Sequence, residues 1–363
     1  MKYPIYLPEI TTREKELVLE CLDSTWISSR GRFIEEFERR VAEYVGVRHA
    51  IAVMNGTVAL HLAVLAAGIG PGDEVILPDF TYIASANAVR YAGAVPVLAD
   101  VDPETWNMGV EQILPCLTPR TKAIMTVDVY GMPPDMDPIL KLARQRDLVV
   151  IEDAAESLGA EYRNRRAGNL GNIGVLSFFG NKTITTGEGG MVVTDDDHSA
   201  GVIRQLRNQG NSETTRYFHD LLGFNYRMTN IQAAIGCAQM ERLNRILERK
   251  REIQDLYREN LEEWFTFQRI EEGCRSSHWM VSLMARDAGT RERVMLGLNR
   301  AGIETRPFFL PVHSMPFYPS QEDSPVTVDI SSRGFNLPSY HLLRDEDVLE
   351  ICKEVRICAG ATS

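Results

Sequence analysis

Residues 148–157 read LVVIEDAAES. Four aliphatic residues run into Glu152 and Asp153, and small residues follow at once. A strand this apolar has almost no solvent-facing side, which is the pattern of a sheet covered on both faces. Similar short runs lie on either side of it: AIAVM (50–54), EVILP (74–78), VPVLAD (95–100), KAIMTV (122–127), GVLSFF (174–179) and GMVVT (190–194). Between several of them the spacing turns helical, as in TVALHLAVLAAG (57–68) and MDPILKLARQRD (136–147). This alternation predicts an α/β fold whose large domain holds a mostly parallel seven-stranded sheet between helices. Ligands of such sheets bind beyond the carboxyl ends of the strands, where Asp153 stands.

From about residue 230 the pattern changes. Residues 229–264 contain no proline and a single glycine, and predict one long charged helix. A strand near 278–285 and a final helix near 344–357 then indicate a smaller C-terminal α+β domain. The expected division is 1–245 for the large domain, with the N-terminal segment, and 246–363 for the small one. Residues 307–326, rich in proline and aromatics, read as an ordered loop.

The 363-residue chain is 44% hydrophobic and 25% charged, with a formal net charge of −11. An acidic balance argues against nucleic acid or an anionic membrane as partner, while leaving room for a local basic site. The start, MKYPIYLPEITTREKE, lacks the apolar core of a signal peptide, and no apolar run approaches a membrane span. Six scattered cysteines form no CxxC pair and have no histidine cluster beside them, which suits reduced thiols and no metal site. A cytoplasmic, metal-free protein is expected.

Two sites stand out for chemistry. Lys182, in SFFGNKTITTGEGG (177–190), has no acidic residue within five positions. The other six lysines, Lys250 among them, lie near carboxylates, element ends or a terminus, as solvated lysines do. A desolvated lysine loses basicity and becomes an amine nucleophile. Alone, Lys182 also fits a surface loop, and Asp153 alone also fits a helix cap. Together they match what pyridoxal phosphate needs: an amine for its aldehyde and a carboxylate that keeps the pyridine nitrogen protonated. Gly56 and Thr57, in a strand–Asn-Gly-Thr–helix junction, offer a helix N-terminus for the phosphate, and Ser177 a second hydroxyl. Tyr82, just after a strand, could stack on a flat ring or be buried in the core. The nucleotide-binding alternatives fail on spacing: GNKT is not GxxxxGK, and GIGPGDE (68–74) follows a helix rather than a strand.

With these residues assembled, the chain resembles the sugar aminotransferases of the DegT/DnrJ/EryC1/StrS family, within the fold-type I pyridoxal phosphate enzymes. The resemblance runs through STWISSRGRFIEEFE (24–38), NGTVALHLAVLAAGIGPGDEVILP (55–78), TPRTKAIM (118–125), IEDAAESLGAEY (151–162), SFFGNKTITTGEGGMVVT (177–194), GFNYRMTNIQAAIG (223–236), GIETRPFF (302–309) and NLPSY (336–340). TYIASAN (81–87) and SFFGNKTITTGEGG are similar to the perosamine-forming branch. The resemblance implies that Lys182 carries the cofactor and moves the proton, with Asp153 on the pyridine nitrogen and Glu156 near the ring hydroxyl. Gly56, Thr57 and Ser177 would hold the phosphate, and Tyr82 would stack on the ring. Asn225 would reach the phosphate of the neighbouring subunit's cofactor, making the active unit a homodimer. Arg227, Arg306 and His313 are candidates for the substrate's diphosphate or sugar.

The implied reaction takes the amino group of L-glutamate to C4 of a nucleotide-linked 4-keto-6-deoxyhexose in two half-reactions. A 3-keto sugar nucleotide or a keto-cyclitol would use the same chemistry. A related dehydratase group replaces the lysine with histidine, so Lys182 favours amino transfer, and its pairing with Asp153 and Thr57 argues against a non-catalytic regulator. One departure concerns VDVYGM (127–132), where many relatives carry a VHLYGQ-type stretch; Asp128 and Met132 stand there. Another is Glu156, where many relatives have Gln or His, although Glu is usual in the perosamine-forming branch.

Overall fold

The computed structural model describes residues 1–318 and 324–360. Seven strands form the main sheet: β1 His49–Val53, β2 Glu74–Pro78, β3 Val95–Ala99, β4 Thr121–Val127, β5 Val149–Asp153, β6 Ile173–Ser177 and β7 Gly190–Thr194. Their order across the sheet is β1–β7–β6–β5–β4–β2–β3. Only β7 runs against the rest: it pairs antiparallel with both β1 and β6, while the other ladders are parallel. The expected mostly parallel α/β architecture is therefore present. Six strands deliver their carboxyl ends to one edge.

Alternation along the strands explains how both faces are buried. Ile51, Val53, Met125, Ile151 and Val175 pack against the helices Gly56–Ala66, Ala84–Tyr91 and Asp197–Leu206. Ala50, Ala52, Leu176, Met191 and Val193 face the other way, onto the helices Arg32–Val45 and Asn230–Met240. On the β2–β4–β5 side, Ile76, Ile124 and Val150 cover Met136, Ile139 and Leu142.

The C-terminal part carries a four-stranded antiparallel sheet, ordered Thr266–Phe267, Val281–Met284, Gly334–Leu337 and Arg306–Pro307. Its core joins Val281, Leu283, Phe335 and Leu337 to Ile253, Tyr257 and Leu261 of one helix and to Val348, Ile351 and Val355 of the last, Asp345–Ala359. Tyr3 packs into this cluster and bridges Ile303, so the chain's first residues reach across to the C-terminal part.

Three expectations need correction. The long helix is two, Asn230–Met240 and Leu243–Leu261, interrupted where Arg242 leaves helical geometry (φ −126°, ψ 10°). Within the first helix, Gly236 lets the Phe37 ring approach closely: a Cβ there would sit 2.7 Å from it. Residues 307–326 are not loop throughout: Val312–Ser314 is a short 3₁₀ turn and a helix, Pro325–Arg333, begins at Pro325, while 319–323 lie outside the described residues. Proline at the first helical position is pre-set for a helix start, a signal the loop reading overlooked. Lys250 is not solvated but 2% exposed, and its ammonium donates to the Ser339 carbonyl at 2.8 Å. Burial lowers its pKa to about 7.

Candidate active site

At the carboxyl edge of the sheet a cavity of about 390 Å³ opens between the large sheet and the C-terminal part. Asp153 ends β5 and Ser177 ends β6, and both line it; the turn after β1 adds Asn55, Gly56 and Thr57. Tyr82 follows β2, and Arg306, Phe309, Trp279 and Asn336 come from beyond residue 245. A volume of this size is within the usual range of small-molecule sites.

Lys182 owes its place to a tight loop. Its N–H donates to the Phe179 carbonyl at 3.0 Å, and Thr186 N–H returns to the Phe178 carbonyl at 2.9 Å. The Lys182 carbonyl accepts from the Tyr6 hydroxyl, so the N-terminal segment also holds the loop. The ammonium lies 3.6 Å from Glu156 Oε1 and 3.9 Å from the centroid of Trp279, whose indole N–H donates to the Asn181 carbonyl at 2.8 Å. Burial is the largest influence on the amine and pulls its pKa down, against Glu156 and Asp153, which push it up. Burial also raises Glu156 to about 7, although Lys182 and the Tyr130 N–H, 2.8 Å from Oε2, oppose it. An enclosed ion pair whose desolvation outweighs its attraction adds little stability. Its use is chemical: a proton can be held or passed here near neutral pH.

Asp153 is 6% exposed and accepts from the Ser85 hydroxyl at 2.7 Å and the Ala155 N–H at 3.2 Å. Burial raises its pKa, and these donors and Lys182 lower it. A cationic ring nitrogen placed against it would favour the charged form.

The opposite wall suits an anion. Asn55 caps the helix Gly56–Ala66, its side chain accepting from Val58 N–H at 3.0 Å, while Ala59 N–H reaches the Asn55 carbonyl at 3.2 Å. Helix geometry gives the Gly56 and Thr57 amides no acceptor within the helix, and both residues face the cavity. A Cβ at Gly56 would sit 3.0 Å from Ser177 Cβ and 3.1 Å from its Oγ, so glycine lets helix and strand end converge.

Lys182, Asp153, Glu156, Gly56, Thr57, Ser177, Tyr82 and Arg306 thus surround one cavity. Tyr82 is exposed at its wall, 5.9 Å from the Phe309 ring. Asn225 and Arg227 lie elsewhere: Asn225 Oδ1 accepts from the Arg227 guanidinium at 2.9 Å, and Arg227 lines a separate cavity with Arg30, Arg204 and Arg207. His313 is also outside; its Nδ1 contacts the buried Asp79 carboxylate at 2.5 Å. Sequence reasoning missed Trp279, Tyr130, Ser85, Phe309 and Asn336. Trp279 lies in the bend just before the strand Val281–Met284, and Ser85 in a helix whose contact with Asp153 is set only by packing.

Comparison with known proteins identifies the family. GDP-perosamine synthase of Escherichia coli O157:H7 is 50% identical over 357 residues, covering 98% of each chain. GDP-perosamine synthase of Caulobacter vibrioides is 49% identical over 348 residues, covering 94% of each. The crystal structure of the aminotransferase TlmJ from Streptoalloteichus hindustanus superposes with a TM-score of 0.94 at 30% identity, covering 98% of both chains. The family pattern matches residues 8–356, and the chain belongs to the DegT/DnrJ/EryC1/StrS aminotransferase family.

Proposed function

We propose that the protein uses pyridoxal phosphate to move the amino group of L-glutamate to C4 of a GDP-linked 4-keto-6-deoxyhexose, as a GDP-perosamine synthase. The observation that carries the chemistry is the buried Lys182 amine facing Asp153 and Glu156 in a cavity with a helix N-terminus at its wall. The choice of sugar rests on the two synthases that share about half its residues.

The residues fit the cofactor. The Gly56 and Thr57 amides and the Ser177 hydroxyl form a cradle for its phosphate, Asp153 offers a carboxylate for the ring nitrogen, and Tyr82 can cover a ring face. When bound, pyridoxal phosphate supplies an aldehyde that accepts an amine and a ring that takes up the electron pair left on the adjacent carbon. Lys182 would hold the cofactor at its aldehyde, and its amine would carry the proton at the substrate carbon. Glu156 stands close enough to hold a proton beside it, and Trp279 limits water around the amine.

We place the domain division near residue 245, and the active unit as a cytoplasmic homodimer with shared sites. Asn225 and Arg227 lie outside the cavity of their own chain, which supports a role across the subunit boundary. No helix among the described residues is long and apolar enough to cross a membrane. The test is direct: purified protein should be yellow, glutamate should bleach it with release of 2-oxoglutarate, and GDP-linked 4-keto-6-deoxymannose should restore the colour. Restoration by dTDP- or UDP-linked ketones alone would reject the sugar; no 2-oxoglutarate would reject the chemistry.

A further inference from the structure

Asp128, the departure noted in VDVYGM, follows β4 and is fully buried. Val127 lines the cavity beside Asp153, its partner in the ladder, so alternation turns Glu152 to the opposite face of the sheet. There the Asp128 carboxyl comes within hydrogen-bonding reach of Glu152. Asp128 Oδ2 accepts from the Ser157 hydroxyl at 2.5 Å, and Oδ1 is buried and meets no donor among the described residues. Glu152 is fully served: Gly168 N–H donates at 2.6 Å, Leu170 at 2.7 Å and Gly171 at 3.2 Å.

Two ionised carboxylates in contact inside a protein repel strongly, and one proton between them turns repulsion into a hydrogen bond. The donors decide who holds it. Burial raises the Glu152 pKa too, but three amides, with Arg165 beyond them, oppose it and favour its charged form. Asp128 has a single hydroxyl in its favour, with Glu152 and Asp153 both disfavouring a charge and the Cys274 thiol close by.

We propose that Asp128 is protonated in the folded enzyme, donating to Glu152 and accepting from Ser157, and that this neutral carboxyl positions the turn carrying Asp153 and Glu156. Residues 128–130 grip that turn twice: Asp128 at Ser157 and the Tyr130 N–H at Glu156. The two acidic groups facing the amine are thereby held from behind by a group that adds no charge. Burial and the Glu152 charge both raise the Asp128 pKa well above the usual carboxylate range.

The protonation state stands independently of the function proposed above, whereas the positioning role rests on it. Urea unfolding of wild type and Asp128→Asn, compared between pH 6 and 8, reads the first. Folding of the wild type takes up a proton that unfolded Asp128 has lost, so its folding constant should fall relative to Asp128→Asn by about tenfold per pH unit. A ratio that does not change with pH overturns the proposal. Cofactor retention on gel filtration reads the second. Asp128→Ala should weaken retention about tenfold, as loss of one buried hydrogen bond does, and Asp128→Asn should restore it. Equal loss in both variants overturns the positioning role. If Asp128→Ala does not fold, Ser157→Ala removes the same grip and is judged by the same measurement.

Discussion

The Lys182 amine lies 3.6 Å from the Glu156 carboxylate, so a loop after β6 and the turn after β5 meet at one proton-carrying pair. Trp279 closes the third side from the C-terminal part. Lys182→Ala should lower the glutamate half-reaction by at least about 10³-fold, the scale of losing a positioned proton-transfer group and covalent anchor. Single-turnover release of 2-oxoglutarate measures it, and a wild-type rate would remove the central assignment.

Ser85 donates to Asp153 at 2.7 Å and favours its charged form. Removing that donor in Ser85→Ala raises the Asp153 pKa further, so the acid limb of the kcat profile should move to higher pH. At neutral pH kcat should fall about tenfold, the value of one hydrogen bond to a charged group. An unmoved acid limb would separate Asp153 from the rate-determining chemistry.

Gly56→Ala places a methyl 3.0 Å from Ser177 Cβ, tighter than ordinary contact. Helix and strand end must separate, which opens the phosphate cradle. The expected result is a pyridoxal phosphate Kd weaker by about tenfold, roughly 1.4 kcal/mol, with secondary structure retained by circular dichroism.

Among the described residues the Lys250 amine pairs with one carbonyl, and burial brings its pKa from 10.5 to about 7. Between pH 7 and 10 the unfolded chain binds a proton that the folded chain does not, so this residue makes stability rise with pH. Lys250→Met should be more stable than wild type at pH 7, with the gap closing towards pH 10. Thermal midpoints at pH 7 and 9.5 test the sign; a gap that widens would contradict the buried amine.

If Asn225 serves the neighbouring subunit's cofactor, Asn225→Ala and Lys182→Ala lose activity for reasons in different chains. Mixed after reversible dissociation, half of the random dimers pair one of each, and each carries one intact site, so about a quarter of wild-type activity should return. No recovery on mixing would place both residues in one subunit's site.

Much of this was legible along the chain. Apolar strands at regular spacing fix an α/β sheet because a strand buried on both faces tolerates little polarity, and the ends of such strands carry ligands. Asp153, Ser177 and the Gly56–Thr57 junction could therefore be located from local pattern alone. Lys182 stood out because its charge had no nearby neutralising partner.

What only the tertiary structure decided is which distant residues complete those positions. Trp279 and Asn336 reach the cavity because the C-terminal sheet packs against the large one, a contact no local periodicity encodes. Lys250 looked like any charged helix residue until the fold enclosed it. Asp128 and Glu152 became a pair because β4 and β5 lie side by side. Protonation, burial and pairing depend on distances through space, whereas strands, caps and turns depend on neighbours along the chain. The first can be read only after folding; the second are written in the order of the residues.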